Sequence, residues 1–287
     1  MISPDPRVYL ALEAEWRRGE NAVILRQSQY IEKLARKFKI NVSRDVRIPM
    51  DPKAQLRKRS DSEPECSRPY RELVGALIYI STCTRPDVSY AVNRHAQFFA
   101  APSDEHYNSA LKILGYLYAT RRLGLRLGGR IDAMDIAVYA DADFASDEES
   151  RNSITGNVIY FGDAIISWTS KKQKLIATSS TEAEFLSAFY TLQDLRYVDQ
   201  LIRGIFPTSP RHIVFFQDNQ STIALIKNES SKGRSKHFDV KLKALSAAYR
   251  EKYFDLQYLP TEHMIADILT KALSRNKFSA LRPKLVN

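Results

Sequence analysis

Apolar and polar positions alternate in two different rhythms along this chain. Near the start, Arg7–Glu15 alternates loosely and Ala22–Arg26 is a short apolar run, with Gly19-Glu20-Asn21 between them, which predicts a β-hairpin. Over Gln27–Lys39, the residues Tyr30, Ile31, Leu34, Ala35 and Phe38 recur every three or four positions, the spacing of a helix. Ile48–Pro69 is rich in proline and charge, contains Arg57-Lys58-Arg59, and reads as an irregular connector. Three helices follow, at Tyr70–Thr82, Val88–Phe99 and Glu105–Ala119, with Pro86 and Pro102 near starts where a missing N–H costs little. Ser103 is the expected N-cap of the third, and Asp104 and Glu105 suit the positive end of its dipole. Leu123–Leu127 reads as a strand, and Gly128-Gly129 mark a break.

Beyond that break the rhythm shortens. Ile136–Ala140, Asn157–Phe161 and Ala164–Thr169 are three strand candidates, the last two joined by the tight-turn pair Gly162-Asp163. Glu182–Ile205 keeps helical spacing through Phe185, Ala188, Phe189, Leu192, Leu195, Val198, Leu201, Ile202 and Ile205, and Thr181 with Glu184 spells a capping box. A strand at Ile213–Gln217 runs into Asp218-Asn219 and a helix through Ile226. A helix at Val240–Lys252, a strand at Phe254–Leu259 ended by Pro260, and a helix from Glu262 to about Leu273 complete the order. This order predicts an α/β fold: a mixed five-stranded sheet with flanking helices, its first three strands antiparallel and its later ones joined by helical crossovers.

The chain has 287 residues, enough for about two domains. At 44% hydrophobic and 26% charged it matches an ordinary globular protein, which excludes general disorder, collagen and a coiled coil. No run approaches the roughly 18 apolar residues of a membrane span, so no membrane partner is expected. Asp5, Glu13 and Glu15 lie where a signal peptide would be uncharged, which points to an intracellular protein. Cys66 and Cys83 form neither a disulfide framework nor a zinc ribbon and fit a reducing compartment. The net charge of +10 is uneven. Residues 1–130 hold 23 Lys and Arg against 14 Asp and Glu, a net of +9, whereas residues 131–287 hold 20 and 19. A half that grips a polyanion and a half that is merely well solvated are both consistent with that asymmetry.

Candidate chemistry comes from four acids. Asp141 follows the first strand of the second half, Glu182 is in the first turn of the long helix, Asp218 closes a strand and Asp267 lies in the last helix. Sites in open α/β sheets collect at strand ends and helix starts, so four carboxylates from four elements can meet at one edge. Crowded carboxylates repel and would retain protons unless a hard dication joins them. Two Mg²⁺ ions, with Mn²⁺ as an alternative, would then clamp a phosphodiester for in-line attack by water. Taken singly, each acid also has a plain structural reading: turn residue, helix-dipole acid, N-cap and solvated helix residue respectively.

The surrounding words narrow this. Tyr139-Ala-Asp-Ala-Asp-Phe-Ala145, Ser167-Trp-Thr-Ser-Lys-Lys-Gln-Lys174, Ser179-Ser-Thr-Glu-Ala-Glu-Phe185, Asp218-Asn-Gln-Ser-Thr-Ile223, Lys236-His-Phe-Asp239 and Leu259-Pro-Thr-Glu-His-Met-Ile-Ala-Asp-Ile-Leu-Thr-Lys271 together resemble the ribonuclease H domain of Ty1/copia-type retrotransposon Pol polyproteins, over roughly residues 135–280. Upstream, Tyr70-Arg-Glu-Leu-Val-Gly-Ala-Leu-Ile-Tyr79 and Thr84-Arg-Pro-Asp-Val-Ser-Tyr-Ala91 look like the end of the reverse transcriptase segment in the same polyproteins. His106 and Leu114-Gly-Tyr-Leu117 look like the segment that joins it to the nuclease.

The resemblance implies a ribonuclease H-like domain at 131–287, preceded at 1–130 by a smaller, mostly helical α+β remnant of a reverse transcriptase. It implies a Mg²⁺-dependent endonuclease acting on RNA in RNA–DNA hybrids, with Asp141, Glu182, Asp218 and Asp267 as catalytic metal ligands and Asp143 and Glu184 as nearby alternatives. Glu182 is preferred because it directly follows the threonine of the family pattern. Lys171, Lys172 and Lys174 would touch the duplex backbone, or else form a solubilising loop. His237 and His263 are auxiliary candidates, the plainer reading of His237 being a core or capping residue. Phe144 stands where a Trp is common and Lys232 where a His is common. The sequence has no Tyr-x-Asp-Asp palm turn, so polymerisation by this chain alone is not expected. Implied partners are the hybrid duplex and a polymerase-containing Pol chain, in a cytoplasmic particle or the nucleus. The alternatives are a non-catalytic nucleic-acid-binding remnant and a structural subunit paired in trans with a polymerase.

Overall fold

A computed structural model of the chain describes residues 8–40, 46–129, 135–147, 149–207, 211–229 and 236–287, without the side chain of His237. Lys232 lies outside the described residues. Two units divide the chain: Met1–Leu127 with Lys271–Asn287, and Gly128–Thr270. The sequence reading kept residues 271–287 with the second domain, but in the structure they group with the first. There, the main chains of Gly124 and Asn287 exchange hydrogen bonds at 2.8 and 3.0 Å. Phe278, on a short helix at Arg275–Leu281, meets Tyr116 edge-on at 5.7 Å. No helix of the described residues is long and apolar enough to cross a membrane.

The first unit carries a four-stranded sheet ordered β1 (Val8–Tyr9), β2 (Leu12–Arg17), β3 (Ala22–Arg26) and β4 (Leu125–Gly128). The expected hairpin is β2–β3, paired from Glu13↔Arg26 to Arg17↔Ala22. Asn21 closes it at φ 52, a left-handed conformation that asparagine tolerates better than most residues. Helix α1 (Ser28–Lys37) buries Ile31, Leu34 and Ala35. After the irregular connector come α2 (Tyr70–Cys83), α3 (Ser89–Ala96) and α4 (Asp104–Ala119). The helix expected from Val88 instead opens with a 3₁₀ turn at Pro86–Val88 and ends earlier than Phe99. Ser103 caps α4 as expected, in a reciprocal box with His106. His106 Nδ1 accepts from the Ser103 N–H at 2.9 Å, so its Nε2 carries the proton and donates to the Arg57 carbonyl at 2.9 Å. Burial holds the His106 pKa below its ordinary value, in keeping with this neutral form.

At the centre of this unit, Arg85 is fully buried. Its guanidinium grips Asp87 through Nε at 2.9 Å and Nη2 at 2.7 Å, and donates to the Thr120 carbonyl and hydroxyl. Tyr116 completes the carboxylate with a 2.6 Å bond. The pair lies within the Thr84-Arg-Pro-Asp87 word, which therefore encodes a buried ionic clasp.

In the second unit the sheet order is β7 (Ala164–Lys172), β6 (Ile154–Phe161), β5 (Ile136–Asp143), β8 (Ile213–Gln217), β9 (Asp255–Tyr258). β5, β6 and β7 are antiparallel neighbours, whereas β8 runs parallel to both β5 and β9. This is the mixed five-stranded arrangement the sequence predicts. Helices α5 (Ser180–Ile205), α6 (Gln220–Asn228), α7 (Lys236–Arg250) and α8 (Asp267–Thr270) flank it. Strand alternation sends Ile136, Val138, Ala140 and Ala142 of β5 into a core with Phe185, Ala188, Leu192 and Leu195 of α5. Tyr139 and Asp141 therefore occupy the opposite face.

Three local expectations differ in the structure. The N-cap of α5 is Ser179, which accepts from the Glu182 N–H at 3.1 Å, so Thr181 and Glu184 are already inside the helix and form no capping box. Leu201 and Ile205, counted with the apolar face of α5, are exposed. The single helix expected over Glu262–Leu273 is a 3₁₀ turn at Thr261–His263 followed by the short α8. Met264, Ile265, Ala266, Ile268 and Leu269 are all buried there, so this segment has no solvated face to make it an amphipathic helix.

Removing one partner of a buried ion pair leaves the other charge uncompensated, whereas an exposed pair contributes little. Asp87→Ala should lower stability in urea unfolding by about 3–5 kcal/mol. Glu72→Ala, which breaks the exposed Lys37–Glu72 pair, should cost less than about 1 kcal/mol.

Candidate metal centre

Two adjacent parallel strands set the site. The β5–β8 register runs from Ile136↔Ile213 to Tyr139↔Phe216. Two residues further along each strand stand Asp141 and Asp218. Glu184 joins them from the second turn of α5. One carboxylate oxygen from each of Asp141, Glu184 and Asp218 lies within 4.8 Å of the others. Asp141 and Glu184 are buried and Asp218 is half-buried. α5 is tied to β5 at this point by Ser187, whose hydroxyl donates to the Asp141 carbonyl at 2.7 Å.

Each of the three carboxylates receives a hydrogen bond from a neutral group. Thr270 Oγ1 donates to Asp141 Oδ2 at 2.5 Å, Gln217 Nε2 to Glu184 Oε2 at 3.1 Å, and Thr261 Oγ1 to Asp218 Oδ2 at 2.8 Å. These bonds do not offset the crowding at Glu184. Burial first, then the charges of Asp141 and Asp218, push its pKa well above the ordinary carboxylate range.

The sequence reading of the acids is partly redrawn. Glu182, preferred there, lies outside the cluster, and Glu184 takes its place. Two residues along a helix is a turn of about 200°, so the two side chains leave α5 on nearly opposite faces. Glu182 instead accepts from the Thr178 N–H at 2.8 Å and hydroxyl at 2.6 Å. Asp218 is not an N-cap; Asn219 caps α6 by accepting from the Thr222 N–H, which leaves the Asp218 carboxylate for the cluster. Asp267 is fully buried on α8 and is not one of the three clustered acids. Its helix nonetheless reaches the site, because Thr270, one turn on, is the donor to Asp141. Asp143, at the end of β5, is also outside the cluster.

Lys171, Lys172 and Lys174 line a cleft of about 330 Å³ together with Asn157, Gln173 and Tyr190. Lys172 is paired with Asp147 at 3.0 Å, while Lys171 and Lys174 are exposed. His263 is exposed on the 3₁₀ turn that also carries Thr261. His237 belongs to α7, and its side chain is outside the described atoms. The supporting donors Gln217, Thr261 and Thr270 were not singled out from sequence. Two of them sit inside the quoted word 259–271, but nothing in a sequence gives the direction of a hydroxyl.

No family model matches the chain. It is 32% identical to the Retrovirus-related Pol polyprotein from transposon RE1 of Arabidopsis thaliana over 277 residues, 96% of this chain and 19% of that protein. It is also 32% identical to the corresponding polyprotein from transposon TNT 1-94 of Nicotiana tabacum, over 91% of this chain and 20% of that one. The chain belongs to the Ty1/copia-type Pol polyprotein family. It spans about a fifth of the length of these Pol relatives. Among solved structures, LC11-RNase H1, isolated from compost, is 17% identical, with 48% of this chain and 93% of that one covered and a TM-score of 0.35. The strand order and directions of the second unit agree with the ribonuclease H-like mixed five-stranded sheet that the sequence resemblance implies.

The raised Glu184 pKa has a stability consequence. Above the ordinary carboxylate range the folded chain holds a proton that the unfolded chain has lost, so stability present at low pH drains away as pH rises through the folded pKa. In the presence of a chelator, the melting temperature should fall across that interval. Glu184→Gln should reduce the slope and raise the melting temperature at neutral pH; thermal scans over a pH series measure both.

Proposed function

We propose that the second unit is a Mg²⁺-dependent nuclease that hydrolyses the RNA strand of RNA–DNA hybrids. The observation that carries this reading is the convergence of Asp141, Glu184 and Asp218 from three separate elements. Their chemistry fits the ion. All three offer hard oxygen donors, and carboxylates this close, two of them buried, repel one another until a dication neutralises them. Mn²⁺ suits the same donors. When bound, such an ion supplies an activated water at neutral pH and screens charge on the phosphate.

The protein's own residues have separate tasks. Asp141 and Asp218 present their oxygens from neighbouring strands whose spacing the sheet fixes. Glu184 releases its proton on loading and contributes the third ligand. Asp267 remains a buried acid of α8, three residues before the Thr270 that donates to Asp141, and His263 an exposed imidazole on the turn whose Thr261 donates to Asp218. Lys171 and Lys174 supply positive charge for the duplex backbone, with little sequence preference and steep weakening by salt. Selection of an RNA strand rests on 2′-hydroxyl contacts and helix shape. The basic first unit corresponds, in this reading, to the end of a reverse transcriptase segment that tracks the template–primer duplex. The full activity belongs to a longer Pol context with a polymerase-containing partner.

The test is cleavage of a labelled RNA–DNA hybrid by the full chain in Mg²⁺. Asp141→Asn, Glu184→Gln and Asp218→Asn should each bring cleavage to background while leaving hybrid binding largely intact, and Glu182→Gln should keep most of it. Continued cutting by Asp141→Asn contradicts the assignment. A native chain that protects the hybrid without cutting it supports the non-catalytic binder instead.

A further inference from the structure

We propose that the docking of α8 onto Gly156 fixes the carboxylate of Asp141 through Thr270, which makes Gly156 and Thr270 positioning residues of the metal centre. This rests on the functional reading above and adds residues to it.

Gly156 lies directly across from Asp141 in the β5–β6 register. Its φ is not in the left-handed region, so backbone conformation does not demand glycine here. Space does. A Cβ at this position would stand 2.7 Å from Thr270 Cγ2, 2.9 Å from the Ala266 carbonyl oxygen and 2.9 Å from Leu269 Cβ. Two of those atoms belong to the helix framework and cannot swing aside. The missing side chain therefore sets how closely α8 approaches β6.

At that distance Thr270 reaches across to the neighbouring strand. Its hydroxyl lies 2.5 Å from Asp141 Oδ2 and 3.2 Å from the Asp267 carbonyl. A hydroxyl has one proton, and the nearer, charged acceptor takes it. Thr270 is fully buried and Asp141 is 2% exposed, so water does not compete for the bond. With Oδ2 held, the carboxylate cannot turn freely about its Cβ–Cγ bond, and its placement against Glu184 and Asp218 is set. A neutral donor does this without cancelling the negative charge that a cation needs. Outer hydrogen-bond partners of this kind typically change metal affinity by about 10–100-fold when removed.

The test uses the full chain, stripped of metal, titrated with Mn²⁺, with free Mn²⁺ followed by electron paramagnetic resonance and folding checked by thermal scan. Thr270→Val should weaken Mn²⁺ binding by about tenfold or more, and Thr270→Ser, which keeps the hydroxyl, should restore most of it. Gly156→Ala keeps Thr270 but displaces α8, and should weaken binding similarly; it also serves if Thr270→Val does not fold. Native affinity in folded Thr270→Val or Gly156→Ala overturns this inference and leaves the functional reading standing. A native chain that binds no Mn²⁺ overturns both.

Discussion

Three carboxylates confined within 4.8 Å of one another, two of them buried, are the constraint on which this structure turns. Water screens repulsion poorly in such a place: burial first, then the charges of Asp141 and Asp218, push the Glu184 pKa well above the ordinary carboxylate range. What makes the crowding unavoidable is backbone geometry. Parallel pairing of β5 with β8 puts Asp141 beside Asp218, and the bond from Ser187 to the Asp141 carbonyl seats α5 so that Glu184 arrives at the same point. A fold that accepts this cost at three converging elements has concentrated its polar groups where a cation of high charge would relieve them.

The first unit handles buried charge in the opposite way. Arg85 and Asp87 are equally deep, but opposite in sign and held by two direct hydrogen bonds, with Thr120 and Tyr116 taking up the remaining valences. That cluster is self-satisfied and invites no ligand. Its role is to lock the 3₁₀ turn at Pro86–Val88 between α2 and α3. The excess positive charge of this half belongs to the remaining Lys and Arg, many of them exposed, and is the feature that suits a polyanionic partner.

Much of the architecture was legible because hydrophobic rhythm reports directly on it. The three antiparallel strands, the long α5 and the parallel β8 all follow from alternation or three-four spacing, and the turn at Gly162-Asp163 from its residues alone. Resemblance identified the words that hold the acids. What it did not settle was which carboxylate of Thr181-Glu-Ala-Glu184 faces the sheet. The apolar stripe of α5 decides it: Glu184 shares a face with the buried Ala188, Leu192 and Leu195, four, eight and eleven residues on, whereas Glu182 turns towards Thr178. The segment after Pro260 departs from its expected helix for a different reason. Its apolar residues are buried all round rather than on one stripe, so periodicity carried no information about the break between the 3₁₀ turn and α8. Gly156 was silent in the sequence, since the reason for it is a helix more than a hundred residues away.

A dication held by these three carboxylates would require Glu184, whose pKa is raised, to give up a proton, so proton release on metal binding is the most direct test. Calorimetric titration of the metal-free chain with Mg²⁺, in buffers of different ionisation enthalpy at mildly acidic pH, measures that release. The account predicts that binding expels a proton and that Glu184→Gln abolishes the release. Binding of Mg²⁺ with no proton expelled, or no binding at all, would contradict it.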